Sequence, residues 1–311
     1  MPNDYDVLII GGGLAGLTAG MFAARYGLHT GIIEQMMGGA QIINLEKIEN
    51  FPGFPEGIAG AELGPAAQEQ AMDAGANFLM GEVDTVTRDG NYKVVNTDSG
   101  SYRAKSLIIA AGSVLRQLKI GEDQFDGRGV SHCATCDGPF YMGQTVGVVG
   151  GGDSAADEAL TLTEYADRVL LFHRSEQFKA QKILQERLFA NPKIDIYWNT
   201  EVQGVLGEDT VSGVRAHNVV TNLDTVVDLS GLFVYVGLEP NSDWLGSVVK
   251  RDRVGHIEVD VSMETSVSGL FAAGDIRQHS LSQSISSAGD CATAVISAFK
   301  YFRGMNWLMG G

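Results

Sequence analysis

A glycine-rich turn between an apolar run and a helical stretch is the feature that most limits what this chain can fold into. Residues 7–10 are apolar, and a helical stretch covers 17–26. The turn between them has glycine at three spaced positions, Gly11, Gly13 and Gly16. The first two permit a tight turn and a close backbone approach to a pyrophosphate, and the third lets helix and strand pack closely. The pattern predicts the start of a β-α-β dinucleotide-binding unit.

An acidic residue stands where the second strand of such a unit ends. A further apolar run covers residues 30–33, and Glu34 follows it directly. A carboxylate at this place accepts hydrogen bonds from the ribose hydroxyls of an adenosine, while the unpaired N–H groups at the start of the helix favour a phosphate. Strand, glycine turn, helix, strand and acid therefore occur in the order that a dinucleotide site needs.

The same pattern returns in the middle of the chain. Residues 146–149 are apolar, Gly150, Gly152 and Ala155 occupy the three spaced positions, and a helix and the apolar run 169–172 follow. Two such units predict an α/β fold with two Rossmann-like dinucleotide-binding domains, the second inserted into the first.

The order of the segments also gives domain boundaries. We expect residues 1–114 and 246–311 to form one discontinuous domain and residues 115–245 to form the inserted one. Such an insertion requires only that the two places where the chain passes between the domains lie close together.

The charge balance argues against two classes of partner. With 38 acidic and 22 basic residues, the formal charge of −16 repels nucleic acid and anionic membrane surfaces. No apolar run approaches the roughly 20 residues that span a bilayer, and the first four residues lack the basic start of a secretory signal. We expect a cytoplasmic protein that binds neither nucleic acid nor a membrane.

Two of the three cysteines, Cys133 and Cys136, stand at C-x-x-C spacing just before the second unit. In a reducing compartment this spacing indicates redox or metal chemistry. Zinc normally takes three or four soft ligands, and only His132 adds to the pair here, so we predict no metal site. The pair could also form a structural disulfide or remain as two unpaired buried thiols.

A reversible dithiol/disulfide is the interpretation that we favour. That chemistry needs one thiolate to attack, a second thiol to resolve, and an acid to protonate the leaving thiolate, for which Asp137 is the candidate. The third cysteine, Cys291, lies among small residues and is predicted to be a buried structural thiol.

Four motifs together resemble the low-molecular-weight thioredoxin reductase family. They are G-G-G-x-A-G at 11–16, C-A-T-C-D-G at 133–138, V-x-V-V-G-G-G-D-S-A at 146–155 and A-A-G-D at 272–275, so the likeness extends over nearly the whole chain. In that family the first domain binds FAD, the inserted domain binds NADPH and has the C-x-x-C pair, and the enzyme is a homodimer. The resemblance implies a flavoenzyme that reduces a thioredoxin-like protein.

The resemblance also implies roles for particular residues. Cys136 would face the flavin, Cys133 would exchange with the partner protein, and Asp137 would supply a proton. The first glycine motif and Glu34 would hold the FAD pyrophosphate and adenosine ribose. Six further residues would lie along the flavin or its ribitol: Gly39, Gln41, Asn50, Gly274, Asp275 and Gln283. Taken alone, Asn50 and Asp275 are equally well explained as turn residues.

The second unit departs from the family where the 2′-phosphate of NADP would bind. Arginines normally meet this phosphate, and the family shows H-R-R-x-x-x-R there. This chain keeps Arg174, has Ser175 and Lys179 in place of the other two arginines, and adds an acid at Glu176. The electron donor is therefore left open between NADPH on a weakened clamp, NADH, and a reduced protein such as ferredoxin.

Two other segments are unusual for the family. Ser282 stands where the family has an arginine beside the flavin, which could change the potential or the accessibility of the flavin. The segment 302–309 is apolar, so it is either an ordinary tail or a device by which Trp307 stacks on the flavin and restricts nicotinamide access.

Two rival functions use the same residues. A flavin-dependent disulfide oxidase would run the cysteines in the oxidising direction with oxygen as the acceptor. A non-catalytic redox sensor would hold FAD and the disulfide without turnover. Reduction of a thioredoxin-like disulfide is the function that we favour.

Overall fold

A computed structural model describes residues 4–36 and 38–304 of the chain. The chain forms two compact units. The first unit ends at Val114 and resumes at Glu239, and the second unit is Leu115–Leu238. Within the described residues no helix is both long enough and apolar enough to cross a membrane.

Helices and strands alternate through much of both units. In chain order the strands are β1 (Asp4–Ile10), β2 (Thr30–Glu34), β3 (Asn77–Met80), β4 (Val83–Asp89), β5 (Tyr92–Thr97), β6 (Gly100–Ile109), β7 (Ser113–Leu115), β8 (Val130–Ser131), β9 (Thr145–Gly150), β10 (Arg168–Phe172), β11 (Ile194–Tyr197), β12 (Thr200–Gly207), β13 (Val211–Asn218), β14 (Leu223–Asp228), β15 (Gly231–Tyr235), β16 (Leu238–Pro240) and β17 (Leu270–Ala272). The α-helices are α1 (Leu14–Arg25), α2 (Gly60–Asp73), α3 (Ala134–Asp137), α4 (Asp153–Leu162), α5 (Lys182–Ala190) and α6 (Ser284–Phe302).

The first unit is built on parallel strands in the order β3-β2-β1-β6, with β17 also parallel to β6. Strands β5 and β4 extend this sheet in antiparallel fashion beyond β6. Because side chains alternate across a strand, Val7 and Ile9 of β1 pack with the residues of α1 and α6, whereas Leu8 and Ile10 pack on the other face. Burial on both faces explains why β1 is an almost continuous apolar run.

The second unit repeats this plan with a parallel sheet in the order β11-β10-β9-β15-β8. Its core lies between this sheet and the helices α4 and α5, where Val146, Val148 and Phe233 are buried against Ala155 and Ala159. A separate antiparallel sheet, β12-β13-β14, packs on the other side through residues such as Val202 and Val214. Each unit has a parallel sheet in which a strand is followed by a helix, α1 after β1 and α4 after β9, and this confirms the predicted α/β class.

The chain leaves and re-enters the first unit at neighbouring places. In the first unit the Asn241 N–H donates to the Gly112 carbonyl at 3.0 Å, and in the second unit the Arg116 N–H donates to the Gly237 carbonyl, also at 3.0 Å. The second boundary falls after Leu238, earlier than the predicted 245/246, because residues such as Leu245 are buried in the core of the first unit.

Candidate active site

The first glycine turn requires glycine at two of its three positions. Gly11 follows β1 with φ of 105°, and a Cβ there would lie 2.3 Å from the Ala110 carbonyl oxygen. Gly16 is in α1, and its Cβ would lie 1.8 Å from the Gly11 carbonyl oxygen. Neither contact is possible for a larger residue, so the glycines allow α1 to pack directly over the end of β1.

The N-terminus of α1 is left open for an anion. Gly13 is the N-cap residue, it gives no side-chain hydrogen bond to the helix, and the first turn has no acidic residue. The unpaired N–H groups and the positive end of the helix dipole therefore face the turn without a competing carboxylate. A Cβ on Gly13 would meet only the Ala40 Cβ, at 3.6 Å. The glycine at this position thus leaves space that the protein itself does not fill.

Glu34 is the last residue of β2 and is held at the edge of the turn. Its Oε2 accepts the Gly12 N–H at 2.6 Å, and its Oε1 accepts the N–H groups of Gln35 and Met36 at 2.9 and 3.1 Å. Three backbone donors thus fix the carboxylate next to the glycine turn, where a ribose hydroxyl would be recognised.

The predicted residues of the first unit lie at one edge of its sheet. Gly11 follows β1, Glu34 ends β2, and Gly274 and Asp275 come after β17, while β6 lies between β1 and β17. All four strands are parallel, so their carboxyl ends meet at the same edge. Ligands of open α/β sheets bind outside this edge.

The segment after β2 also reaches this edge. The Gly39 N–H donates to the Gly12 carbonyl at 2.8 Å, and Gly39 has φ of 110°, with Ile43 too close for a Cβ. Gln41 lies in a short 3₁₀ helix and donates its Nε2 to the Ser113 carbonyl.

Ser113 was not predicted from the sequence. Its side chain is buried, and its Oγ has no hydrogen-bond partner among the residues that the structure describes. A buried hydroxyl without a partner costs free energy, so such a group usually serves a ligand or an ordered water. No sequence signal distinguishes this serine from others, because its burial comes from packing after β6.

Asn50 and Gln283 are far apart in the sequence but in contact in the first unit. The Asn50 Nδ2 donates to the Gln283 Oε1 at 2.9 Å. Gln283 is also the N-cap residue of α6, to which it gives no side-chain hydrogen bond. Two residues that the family resemblance assigns to the flavin are therefore neighbours.

Asp275 is a partly buried acid after β17. Ser280 and Ser287 donate to its Oδ1 at 3.3 and 3.2 Å. Burial raises the pKa of Asp275 above its ordinary value, while these two hydroxyl groups lower it. The carboxyl group is thus positioned by its neighbours and retains acceptor capacity for a ribitol hydroxyl.

These observations fit FAD. The first unit offers an uncapped helix N-terminus beside a glycine turn, a carboxylate for a ribose, and a buried hydroxyl that has no partner within the described residues. All of them belong to one compact unit and lie on elements that meet at the carboxyl edge of its sheet.

The second unit has its own glycine turn between β9 and α4. Gly152 is the N-cap residue of α4 and gives no side-chain cap. A Cβ on Gly150 would lie 2.5 Å from the Ala155 Cβ, and one on Gly151 would lie 2.2 Å from the His173 ring. The three spaced residues Gly150, Gly152 and Ala155 therefore form the tight turn that the sequence predicted.

The predicted nucleotide cations follow the second strand of this unit. Arg174, Ser175, Glu176 and Lys179 are all exposed. The Ser175 Oγ lies 2.8 Å from His173 Nε2, so the residue that replaces an arginine is hydrogen-bonded within its own turn. Two cations and one acid give this surface less positive charge than three arginines would.

Cys133 and Cys136 form a disulfide with a Cα–Cα separation of 5.3 Å. Cys133 is the N-cap residue of α3, and its Sγ accepts the Cys136 N–H at 3.2 Å. His132 donates its Nδ1–H to the Val234 carbonyl at 3.0 Å. Within 4–36 and 38–304 no group of three or more His, Cys, Asp or Glu residues could hold a metal.

Asp137 ends the short helix α3. Its backbone N–H donates to the Cys133 carbonyl at 3.1 Å, which keeps it beside the disulfide, and its side chain is partly exposed. Burial raises the pKa of the nearby Tyr141 phenol, and the charge of Asp137 raises it further.

A buried acid lies beneath this helix and was missed from the sequence. The Glu158 Oε2 accepts the Ala134 N–H at 2.8 Å and the Tyr235 hydroxyl at 3.0 Å. Glu158 belongs to α4, where the helical pattern alone does not distinguish it from a solvent-facing acid.

Two other sequence predictions concern residues away from these sites. Cys291 is fully buried in the core of the first unit with no disulfide, as predicted, and burial raises the pKa of its thiol. Trp307 lies outside the described residues.

A flavin-type site in one α/β unit and a C-x-x-C disulfide in a second dinucleotide-type unit together define the class of flavin-linked disulfide oxidoreductases. The model of the pyridine nucleotide-disulphide oxidoreductase family matches residues 5–296. The chain belongs to this family, and it is an FAD-dependent oxidoreductase of the thioredoxin reductase type.

Individual relatives agree with this assignment. The thioredoxin reductase of Bacillus subtilis is 42% identical over 299 residues, covering 96% of this chain and 94% of that protein. The structure of Lactococcus lactis thioredoxin reductase matches with a TM-score of 0.95 and 38% identity, covering 97% of this chain and 100% of that one. A ferredoxin-flavin thioredoxin reductase from Clostridium acetobutylicum is 27% identical with a TM-score of 0.53, covering 97% and 98%.

Proposed function

We propose that this chain reduces the disulfide of a thioredoxin-like protein through FAD and the Cys133–Cys136 disulfide. The observation that carries the proposal is a disulfide at the start of a helix, next in the chain to a dinucleotide-type glycine turn. The Bacillus subtilis relative, at 42% identity, bears the name thioredoxin reductase, and so do other relatives of similar identity. The geometry and the likeness thus support the same reaction.

The first unit would hold FAD. The pyrophosphate would lie against the N–H groups at the start of α1, with Gly11, Gly13 and Gly16 leaving the space for it, and Glu34 would accept the adenosine ribose hydroxyls. Asp275 would accept a ribitol hydroxyl. The remaining candidates for contact with the flavin are Gly39, Gln41, Asn50, Gly274 and Gln283. When bound, FAD takes a hydride from a nicotinamide or single electrons from a protein donor and passes two electrons on.

The cysteines would carry those electrons to the partner. Reduction breaks the Sγ–Sγ bond with two electrons and leaves a thiolate and, after one proton is taken up, a thiol. A thiolate on Cys133 would be stabilised by the Cys136 N–H that already points at its Sγ. It would attack the partner disulfide to form a mixed disulfide, and Asp137 would protonate the partner sulfur that leaves.

Attack by Cys136 on the Cys133 sulfur would then release the partner. The Cys133–Cys136 bond re-forms, and the second partner sulfur takes up the proton that Cys136 loses. The partner has gained two electrons and two protons, and Asp137 recovers its proton from solvent. This order, with Cys136 on the flavin side, follows the family resemblance.

We further propose that the donor is a nicotinamide nucleotide that the second unit binds with little preference for the 2′-phosphate. The start of α4 beside Gly150 and Gly152 has no side-chain cap, and the acid in its first turn, Asp153, is engaged by Gln181, which supports nucleotide binding. Arg174 and Lys179 would still attract a phosphate, but Glu176 opposes them and Ser175 adds no charge. Arginine gives bidentate phosphate contacts that lysine cannot reproduce.

An anaerobic titration tests this donor. The purified FAD-loaded protein is mixed with NADPH, NADH or reduced ferredoxin, and the flavin absorbance is followed. Both nucleotides are expected to bleach the flavin. Their rates should lie within about tenfold of each other, because two of the three arginines that favour the 2′-phosphate are replaced. Bleaching by ferredoxin alone would assign the donor role to a protein.

The rival functions make different predictions in the same solution. A disulfide oxidase would consume oxygen when given a dithiol, and a sensor would not sustain repeated cycles with any donor. The proposed reductase turns over many thioredoxin molecules per FAD with little oxygen uptake. We also expect a homodimer, which sedimentation of the FAD-loaded protein would test.

A further inference from the structure

Glu158 is a buried carboxylate that the proposed reaction does not use directly. Its side chain is only 8% exposed, although charged groups are rarely buried without partners. It lies on α4, and it accepts hydrogen bonds from a residue of α3 and from a residue of β15. One carboxylate therefore joins three elements of the second unit.

Two donors to Glu158, the Ala134 N–H and the Tyr235 hydroxyl, meet at one oxygen. Both donate to Oε2, at 2.8 and 3.0 Å. These hydrogen bonds offset part of the free energy that burying a carboxylate costs. Burial and then the charge of Glu158 raise the pKa of the Tyr235 phenol far above its ordinary value, so Tyr235 remains a hydrogen-bond donor.

Ala134 follows Cys133 directly, which brings the carboxylate close to the disulfide. The Ala134 side chain is fully buried in the same core as Ala155 and Ala159 of α4. Ordinary bond lengths place the Cys133 Sγ within about 8 Å of the Glu158 Oε2. Charges at such distances in a partly desolvated site interact measurably.

We propose that Glu158 is a positioning residue that anchors the redox helix α3 and, through its negative charge, makes the Cys133–Cys136 disulfide harder to reduce. The reduced pair carries a thiolate, and a nearby carboxylate disfavours that second negative charge, whereas the disulfide is neutral. The equilibrium shifts toward the disulfide, so the reduced pair is a stronger reductant toward its partner. This inference rests on the proposed role of the pair in the reaction.

The same carboxylate ties the redox helix to the nucleotide turn. Tyr235 ends β15 opposite Gly150, and its carbonyl oxygen would lie 2.5 Å from a Cβ on Gly150. The hydrogen bonds of Ala134 and Tyr235 to Glu158 together hold α3 in a fixed relation to α4 and to the end of β15. A change in the contacts of Glu158 would therefore affect both the redox helix α3 and the glycine turn before α4.

The test measures the thiol–disulfide equilibrium of the FAD-loaded protein in dithiothreitol buffers of graded potential. Free thiols are alkylated and located at Cys133 and Cys136 by mass spectrometry. E158Q removes the charge but keeps an oxygen acceptor for both donors, and E158M removes the charge and the acceptor. Y235F removes one donor and keeps the charge.

E158Q is expected to raise the equilibrium constant for reduction about tenfold, which for this two-electron couple is about 30 mV. E158M should give the same rise with lower stability toward urea, so either folded variant tests the charge. Y235F is expected to stay within about threefold of the wild type, because the carboxylate remains. The matched control is E164Q, at an exposed acid just after α4, and it should match the wild type.

A folded E158Q or E158M protein with an equilibrium constant within about twofold of the wild type would overturn the proposal, since removal of a charge this close to the thiolate must change the constant. The measurement uses neither a donor nor a thioredoxin. Failure of the proposed function would instead appear as a wild-type enzyme that does not reduce thioredoxin. That result would not depend on how the equilibrium constants for reduction of the variants compare with that of the wild type.

Discussion

The Arg277 guanidinium donates two hydrogen bonds to the Asp290 carboxylate, from Nε to Oδ2 at 2.6 Å and from Nη2 to Oδ1 at 2.8 Å. Both side chains are largely buried, and Oδ2 also accepts the Gly274 N–H at 3.3 Å. This pair therefore holds the start of the Gly274-Asp275 segment against α6. It positions the residue that is proposed to meet the FAD ribitol.

Removing one partner of this pair should destabilise the first unit. D290A leaves the Arg277 charge buried without its partner, so the free energy of unfolding should fall by about 3–5 kcal/mol and FAD should be held more weakly. Urea unfolding and the ratio of bound FAD to protein measure the two effects. D243A, which breaks the exposed pair of Asp243 with Arg251, should change stability by no more than about 1 kcal/mol. Equal losses in the two variants would contradict this account.

Gly13 should be needed for FAD and not for folding. Its φ is −67° and a Cβ would meet nothing closer than 3.6 Å, so G13A should change the unfolding free energy of the FAD-free protein by about 1 kcal/mol at most. The added methyl group would enter the space proposed for the pyrophosphate, and the Kd for FAD should rise at least about tenfold. The control is G289A on α6, which faces open space. An unchanged FAD affinity in G13A would place the pyrophosphate elsewhere.

Ser113 and Ser106 form a matched pair of buried serines. The Ser106 Oγ donates to the Gly269 carbonyl at 3.1 Å, whereas the Ser113 Oγ has no partner in the described part of the chain. S106A should therefore lower the stability of the FAD-free protein by about 1 kcal/mol, and S113A should leave it equal or slightly higher. With FAD, S113A should lose about fivefold in affinity if the hydroxyl serves the cofactor. Loss of stability in FAD-free S113A would show a protein partner instead.

Some of the site follows from sequence and some only from packing. Spaced glycines, an acid after a strand and C-x-x-C spacing are local patterns, and the structure shows the two tight turns, the placement of Glu34 and the disulfide that these patterns predict. Ser113 and Glu158 are different, because a serine or a glutamate has no sequence signal for burial. Their roles depend on which strand or helix packs over them.

The second boundary between the two units lies a few residues before the predicted one, for a similar reason. The prediction placed the crossing at 245/246, but Leu245 and Val249 belong to the apolar core of the first unit. The segment between β16 and β17 has few regular elements, so periodicity gave no guide to which core it joins. The hydrogen bond from the Asn241 N–H to the Gly112 carbonyl joins residue 241 to the first unit.

An added arginine at position 175 should restore a preference for NADPH. S175R places a third cation at the end of β10, and the ratio of kcat/KM for NADPH over NADH should rise about tenfold or more. Steady-state thioredoxin reduction with each nucleotide measures the ratio. The control T210R adds the same charge at an exposed position in the turn between β12 and β13, and it should leave the ratio unchanged. An equal rise in both variants would point to net charge and not to a clamp.

Lys93 should make stability depend on alkaline pH. It is buried in β5, its Nζ donates to the Lys105 carbonyl at 2.8 Å, and burial lowers its pKa from 10.5 to about 8. Above pH 8 the folded protein loses this proton before the unfolded chain does, so the unfolding free energy should rise by about 2 kcal/mol from pH 7.5 to 9.5. K93M should lack this rise in urea unfolding, and K182M, at an exposed lysine, should keep it. A rise that persists in K93M would assign it to another group.

The most direct test of the central claim is donor-driven reduction of thioredoxin by the C136S enzyme. If electrons pass through the Cys133–Cys136 disulfide, C136S should bind FAD normally and its flavin should still be reduced by the donor. Thioredoxin reduction should fall about a thousandfold or more, because no second thiol remains to carry or resolve the exchange. Thioredoxin reduction at the wild-type rate by FAD-loaded C136S would contradict the account.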